Sequence, residues 1–151
     1  MSVNKKLESI RDNFSNGSVG DFLKKNIEPH SKLSFVTAYF TIYAFEKLQN
    51  ELNHATSIKL LFGEPKFIKN VSAGKDTRSY KIEEDRLVVP PEMRLQQKMI
   101  AKLCSNWIKK KVEIKSMVKP DFLHGKMYHI EKPNGVNEAI QGSSNFTVNG
   151  L

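Results

Sequence analysis

Residues 31–63, "SKLSFVTAYFTIYAFEKLQNELNHATSIKLLFG", decide the fold. The opening part, "KLSFVTAYF" (32–40), is β-branched and aromatic and predicts a strand. Ile42, Phe45, Leu48 and Leu52 then recur at helical spacing, which predicts a helix over 42–54 with Thr41 as its N-cap. "SIKLLFG" (57–63) is a second, nearly continuous apolar strand. Strand, helix and strand over this length make a βαβ unit, whose strands are expected to be parallel and buried on both faces.

The same reading extends outward from this unit. Upstream, Leu7, Ile10 and Phe14 are spaced for a short amphipathic helix, "SNGSVG" breaks it, and "DFLKKNIEP" predicts a second short helix ending at Pro29. Downstream, residues 64–91 are polar and turn-rich and read as an excursion. "VVPPE" supplies a stop followed by a helix start, with Pro91 in the first turn. Met93, Ile100, Leu103, Cys104 and Trp107 fit one face of a helix over 92–110, with Trp107 a core anchor. Lys109, Lys110 and Lys111 sit at its C-terminal end, where cations oppose the macrodipole. "VEIKSM", "FLHGKMYHIE" and "EAIQGSS" are the third, fourth and fifth strands. The expected fold class is α/β, with a mixed, mostly parallel central sheet flanked by helices, in a single domain over 1–151.

Composition narrows the function. The 151 residues suit one domain with a real core, and 39% hydrophobic with 26% charged residues is globular rather than disordered. Lys and Arg number 24 against 16 Asp and Glu, a formal charge of +8. That surplus favours polyanions, nucleic acid ahead of an acidic membrane, or else is simply a lysine-rich surface. The single cysteine, Cys104, cannot make an internal disulfide and reads as a small core hydrophobe in a reducing cytoplasm. "MSVNKKLESIRDNF" has no signal-peptide core and no apolar run reaches membrane-spanning length, so secretion and integral membrane residence are not expected.

The fourth strand is oddly polar. On it His124, Lys126, Tyr128 and Ile130 share one face, and Leu123, Gly125, Met127 and His129 the other. A core-facing row does not ordinarily hold both His and Lys, so the face is either solvated or a site. Gly125 weakens a strand and marks close backbone approach. The fifth strand ends in "GSSN", where Ser143 and Asn145 share a face, and strand ends are where α/β sheets build sites. A phosphodiester needs a nucleophile and donors to its nonbridging oxygens. Imidazole can attack or act as general acid. Lys126 supplies fixed positive charge, while Ser143 and Asn145 supply neutral donors that tighten as charge builds in the transition state. No metal or cofactor is required by this set, and four His and one Cys stand at no zinc spacing.

"HGKMYHIE" (124–131) followed by "GSSNFT" (142–147) resembles the H-x-K-x4-D…G-S-x-N signature of the phospholipase D superfamily. The stretch quoted first is similar to the opening βαβ of phospholipase D-like domains that precede DEAD/DEAH-type helicases or occur in restriction-type nucleases. "LCSNWIKKKVEIKSM" (103–117) resembles the helix and strand just before the motif, so the likeness covers most of the chain. It implies a phospholipase D-like fold and metal-independent phosphodiesterase chemistry of the nuclease kind. By resemblance His124 attacks phosphorus and forms a phosphohistidine, Lys126 binds phosphate oxygens, and Ser143 and Asn145 complete the pocket. Glu131 stands where the family has Asp, one methylene longer, and "KPNGVNE" lengthens the gap to Gly142 by a turn. The family needs two facing motifs and this chain has one, so the resemblance implies a homodimer with His124 of each copy at its centre. Family domains continue past the point where "TVNGL" ends, so a fragment of a longer polypeptide, with a helicase region downstream, is expected.

Several alternatives stay open. Tyr39 at the end of the first strand either lines a substrate groove or simply packs. Lys109, Lys110, Lys111, Lys115 and Lys119 either track a phosphate backbone or form a solvated face. His30, His54 and His129 read as surface or packed residues. Against a nuclease acting on DNA, or on RNA, stand a non-catalytic DNA-binding and dimerisation module and, third, a lipid-directed phosphotransferase.

Overall fold

The computed structural model describes residues 10–11, 16–63, 91–117 and 123–151. Its centre is an open five-stranded sheet: β1 (Lys32–Thr37), β2 (Ser57–Phe62), β3 (Val112–Ser116), β4 (Lys126–Glu131) and β5 (Asn137–Gly142). The order is β3-β2-β1-β4-β5. β1 pairs in parallel with β2, and β2 with β3, whereas β4 is antiparallel to both β1 and β5. The sheet is therefore mixed, with β4 alone running against the other strands. The C-terminal ends of β1, β2, β3 and β5 lie on one edge, together with the N-terminal end of β4. The predicted excursion over 64–91 falls almost wholly outside the described residues, as does most of the predicted helix around Leu7 and Phe14.

Four helices pack on this sheet. α1 (Val19–Asn26) starts at a capping box: Ser18 Oγ accepts from the Asp21 amide at 3.1 Å, and Asp21 Oδ2 accepts from the Ser18 amide at 2.8 Å. α2 (Ile42–Lys47) is capped by Thr41, as its sequence predicts. It is not continuous with α3 (Gln49–His54). The single helix expected over 42–54 breaks at Leu48, which leaves helical geometry at φ −118° and ψ 12°. Phe45, Leu48 and Leu52 nevertheless all face inward, and each is at most 1% exposed. α4 (Pro91–Lys111) buries Ile100, Cys104 and Trp107 at i, i+4 and i+7. Leu103, expected on the same face, is exposed instead, and the Met93 side chain lies outside the described residues. No helix among the described residues is long and apolar enough to cross a membrane.

The core lies on one face of the sheet. Leu33 and Phe35 of β1, Ile58 and Leu60 of β2, and Tyr128 and Ile130 of β4 meet α1, α2, α3 and α4 there. Phe45 packs on Trp107 with ring centroids 4.9 Å apart. Cys104 is buried within it, and burial pushes its thiol up to about 12, the state of an inert packing residue. β1 and β2 were expected to be buried on both faces, but β1 alternates exposed or half-buried with buried positions. Among the described residues the other face carries Lys32, Ser34, Lys59 and His129, so the strands read as half-buried.

Candidate functional site

β4 is shorter than its sequence suggests. It begins at Lys126, so His124 and Gly125 belong to the segment leading into it. That removes the puzzle of an imidazole in a strand row: His124 is exposed beside the sheet edge. Lys126 is the reverse case. Its register partner in β5 is Gly142, and it begins the core-facing row that continues through Tyr128 and Ile130. The expectation that a core row would exclude lysine is corrected here, since Lys126 is only 3% exposed. The terminal position explains it: the long stem packs inward while the ammonium reaches back past the strand end. Its Nζ donates to the His124 carbonyl oxygen at 2.6 Å. Among the described residues no carboxylate pairs with it.

The turn after β5 is held from beneath. Tyr128 donates its hydroxyl to the Ser144 carbonyl at 2.8 Å, and burial pushes that phenol well above its ordinary range. Asn145 Oδ1 accepts from the backbone amides of Ala38 and Tyr39, at 3.1 and 3.2 Å. These two amides follow the last residue of β1, where the parallel ladder has stopped. Oδ1 is thus the end of the amide that the fold engages. Thr37, fully buried, accepts the Phe146 amide on its Oγ1 at 2.9 Å and donates to the Tyr39 carbonyl at 2.8 Å. Phe146 stacks on Phe40 at 5.2 Å between centroids, which fixes the residue next to Asn145.

His124, Lys126, Ser143 and Asn145 thus come to one edge of the sheet, at the C-terminal ends of β1 and β5 and the start of β4. Ser143 is exposed, directly after Gly142. Tyr39 joins them through its backbone, its side chain 41% exposed. Glu131 does not join them. It ends β4, roughly 17 Å of strand from Lys126 at about 3.3 Å per residue. There it accepts from Lys32 Nζ at 2.9 Å, a bond that lowers its pKa. His30 and His54 bracket the opposite edge, linked by a backbone bond from His30 N to His54 O at 2.9 Å. Among the described residues no three His, Cys, Asp or Glu cluster as a metal ion would require.

Two glycines invert the sequence expectation. Gly125 was read as a point of close backbone approach, yet a Cβ there would meet nothing within 4 Å. The close approach is at Gly63, where a Cβ would lie 2.6 Å from the Leu123 carbonyl oxygen. Gly63 therefore lets the segment carrying His124 lie against the end of β2. Sequence reasoning passed over both Gly63 and Thr37. A hydroxyl in the buried row of "LSFVT" was the available signal, because a buried polar group must find partners.

Chemically the edge gathers an ammonium, an amide NH2, a hydroxyl and an imidazole, with no acid among them. That is a donor set shaped for an anion. No protein-family model matches the chain, and no curated protein is detectably similar to it.

Proposed function

We propose that this chain is a phosphodiesterase of the nuclease kind, acting on nucleic acid, with the phospholipase D-like chemistry its motif resembles. One observation carries the reading. Lys126 is a buried lysine whose ammonium bonds the His124 carbonyl and has no carboxylate partner among the described residues, at an edge where His124, Ser143 and Asn145 add further donor groups. A buried ammonium held by a neutral carbonyl gains a charge-assisted bond when an anion is seated at the edge. A phosphodiester oxygen meets Lys126 Nζ, Asn145 Nδ2 and Ser143 Oγ. The charge of +8 draws a polyanion toward it.

In this reading an imidazole nitrogen of His124 attacks phosphorus, and the bond to the leaving oxygen breaks. A second imidazole protonates that oxygen. Water then attacks the phosphohistidine, returning His124 and releasing the phosphate monoester. The second imidazole is His124 of a second copy across a two-fold axis, since the three other histidines stand on the opposite edge or face. The test is cleavage of DNA in excess EDTA by the wild type and by His124→Ala. Cleavage that survives EDTA and is lost in the variant supports the proposal. Equal cleavage by both proteins defeats it.

A second reading is favoured by the single imidazole at this edge: a module that binds DNA and dimerises without cutting it. DNA binding unaffected by His124→Ala, with no cleavage by either protein, selects it.

A further inference from the structure

A cavity of about 240 Å³ opens beside the Gly142–Ser144 turn. Ile10, Val19, Tyr128 and Ile140 give it apolar walls, while Arg11, Ser143 and Ser144 give it polar edges. Ser143 belongs to both the cavity and the donor edge, so the two are continuous. Arg11 is partly used: its Nη1 donates to the Asn16 carbonyl oxygen at 2.6 Å. Its Nε is buried and finds no acceptor among the described residues. Nor does any ion pair among the described residues engage its guanidinium. A buried donor without an acceptor costs about 1–3 kcal/mol, and a guanidinium fork is shaped for phosphate.

We propose that this cavity is a second subsite, taking the nucleoside unit next to the phosphate bound at the donor edge, with Arg11 donating to the following phosphate. This rests on the nucleic-acid reading above. The lining supplies the rest: an apolar slot bounded by hydroxyls suits a base and sugar, and a cation in the same lining suits the next anion along the chain. The cavity is smaller than those that take drug-sized ligands, so it holds one such unit and not several. The site then reads a strand two phosphates long, which distinguishes a polynucleotide from a lone phosphate ester.

The test is binding of a fluorescent single-stranded oligodeoxynucleotide, followed by anisotropy over a salt series, for the wild type, Arg11→Ala, Arg11→Lys and Ile140→Phe. Arg11→Ala is expected to weaken binding about tenfold and to lower the slope of log affinity against log salt by about 0.7, the value of one single-strand phosphate contact. Arg11→Lys keeps the charge and the slope. Ile140→Phe fills the slot, so affinity falls with the slope unchanged. Circular dichroism melts report whether each variant is folded. An unchanged slope in folded Arg11→Ala overturns the proposal, as does full affinity in Ile140→Phe. Should Arg11→Ala itself unfold, the Ile140→Phe result decides alone. The predicted binding effects without cleavage would sink the catalytic reading and leave this one standing. No oligonucleotide binding by the wild type would overturn both.

Discussion

Asn145 serves structure and site with opposite ends of one amide. Its Oδ1 closes the end of β1 by accepting from Ala38 and Tyr39, and in the proposed chemistry its Nδ2 donates to the phosphate. Asn145→Asp separates the two roles, because a carboxylate keeps the acceptor and loses the donor. We expect kcat/KM to fall by about 10²–10³, the usual cost of one transition-state donor, while the urea midpoint stays close to wild type. Equal losses in both would mean that the side chain is only structural. Glu131 gives the contrasting case, at the far end of β4 in an exposed ion pair with Lys32. Glu131→Gln is expected to leave the urea midpoint close to wild type and kcat/KM within about twofold. Lys32 lowers the Glu131 pKa in the folded chain. Its small stabilisation is therefore present above the ordinary carboxylate range and lost as pH falls through the depressed folded value. In Glu131→Gln that part of the pH dependence of stability disappears.

At the scale of elements, the sequence was most readable where side-chain period and burial agree. The parallel pairing of β1 and β2, the cap at Thr41 and the α4 face of Ile100, Cys104 and Trp107 follow from spacing alone. It was least readable where tertiary packing overrides the local pattern. Leu48 sits in a helical pattern and breaks it, while still burying its side chain beside Phe45 and Leu52. Lys126 sits in a buried row because, at the strand's first position, its ammonium can reach back to the His124 carbonyl oxygen. His124 shares that row's parity but lies before the strand begins, a boundary that parity cannot set. Gly63 shows how such an edge is built from two elements at once. A Cβ at Gly63 would press on the Leu123 carbonyl beside the His124 segment. Gly63→Ala is expected to lower stability by about 1–3 kcal/mol and to reduce kcat/KM more than tenfold. Denaturation midpoints and steady-state kinetics on the folded variant check both effects. A fully stable, fully active Gly63→Ala would show that this contact does not hold the site.

At the scale of the molecule, an open sheet brings five strand ends to one edge, where donors from the segment 124–145 meet the end of β1, more than a hundred positions earlier in the chain. The H-x-K and G-S-x-N patterns were legible as a pair because β4 and β5 form a hairpin that sets Lys126 opposite Gly142. Nothing local in the sequence tied them to Thr37, Ala38 and Tyr39, which meet Asn145 through the β1–β4 pairing and the Phe40–Phe146 bridge. One imidazole stands at this edge, and the proposed chemistry needs two. A chain of 17.3 kDa is thus expected to run at twice that mass in light scattering, with specific activity rising as concentration drives association. A monomer whose specific activity is independent of concentration would remove the second imidazole from the mechanism. The most direct measurement is DNA cleavage in excess EDTA by the wild type and by His124→Ala, side by side at equal concentration. The account predicts cleavage by the wild type that EDTA does not abolish and none above background by His124→Ala, whereas equal cleavage by the two proteins would contradict it.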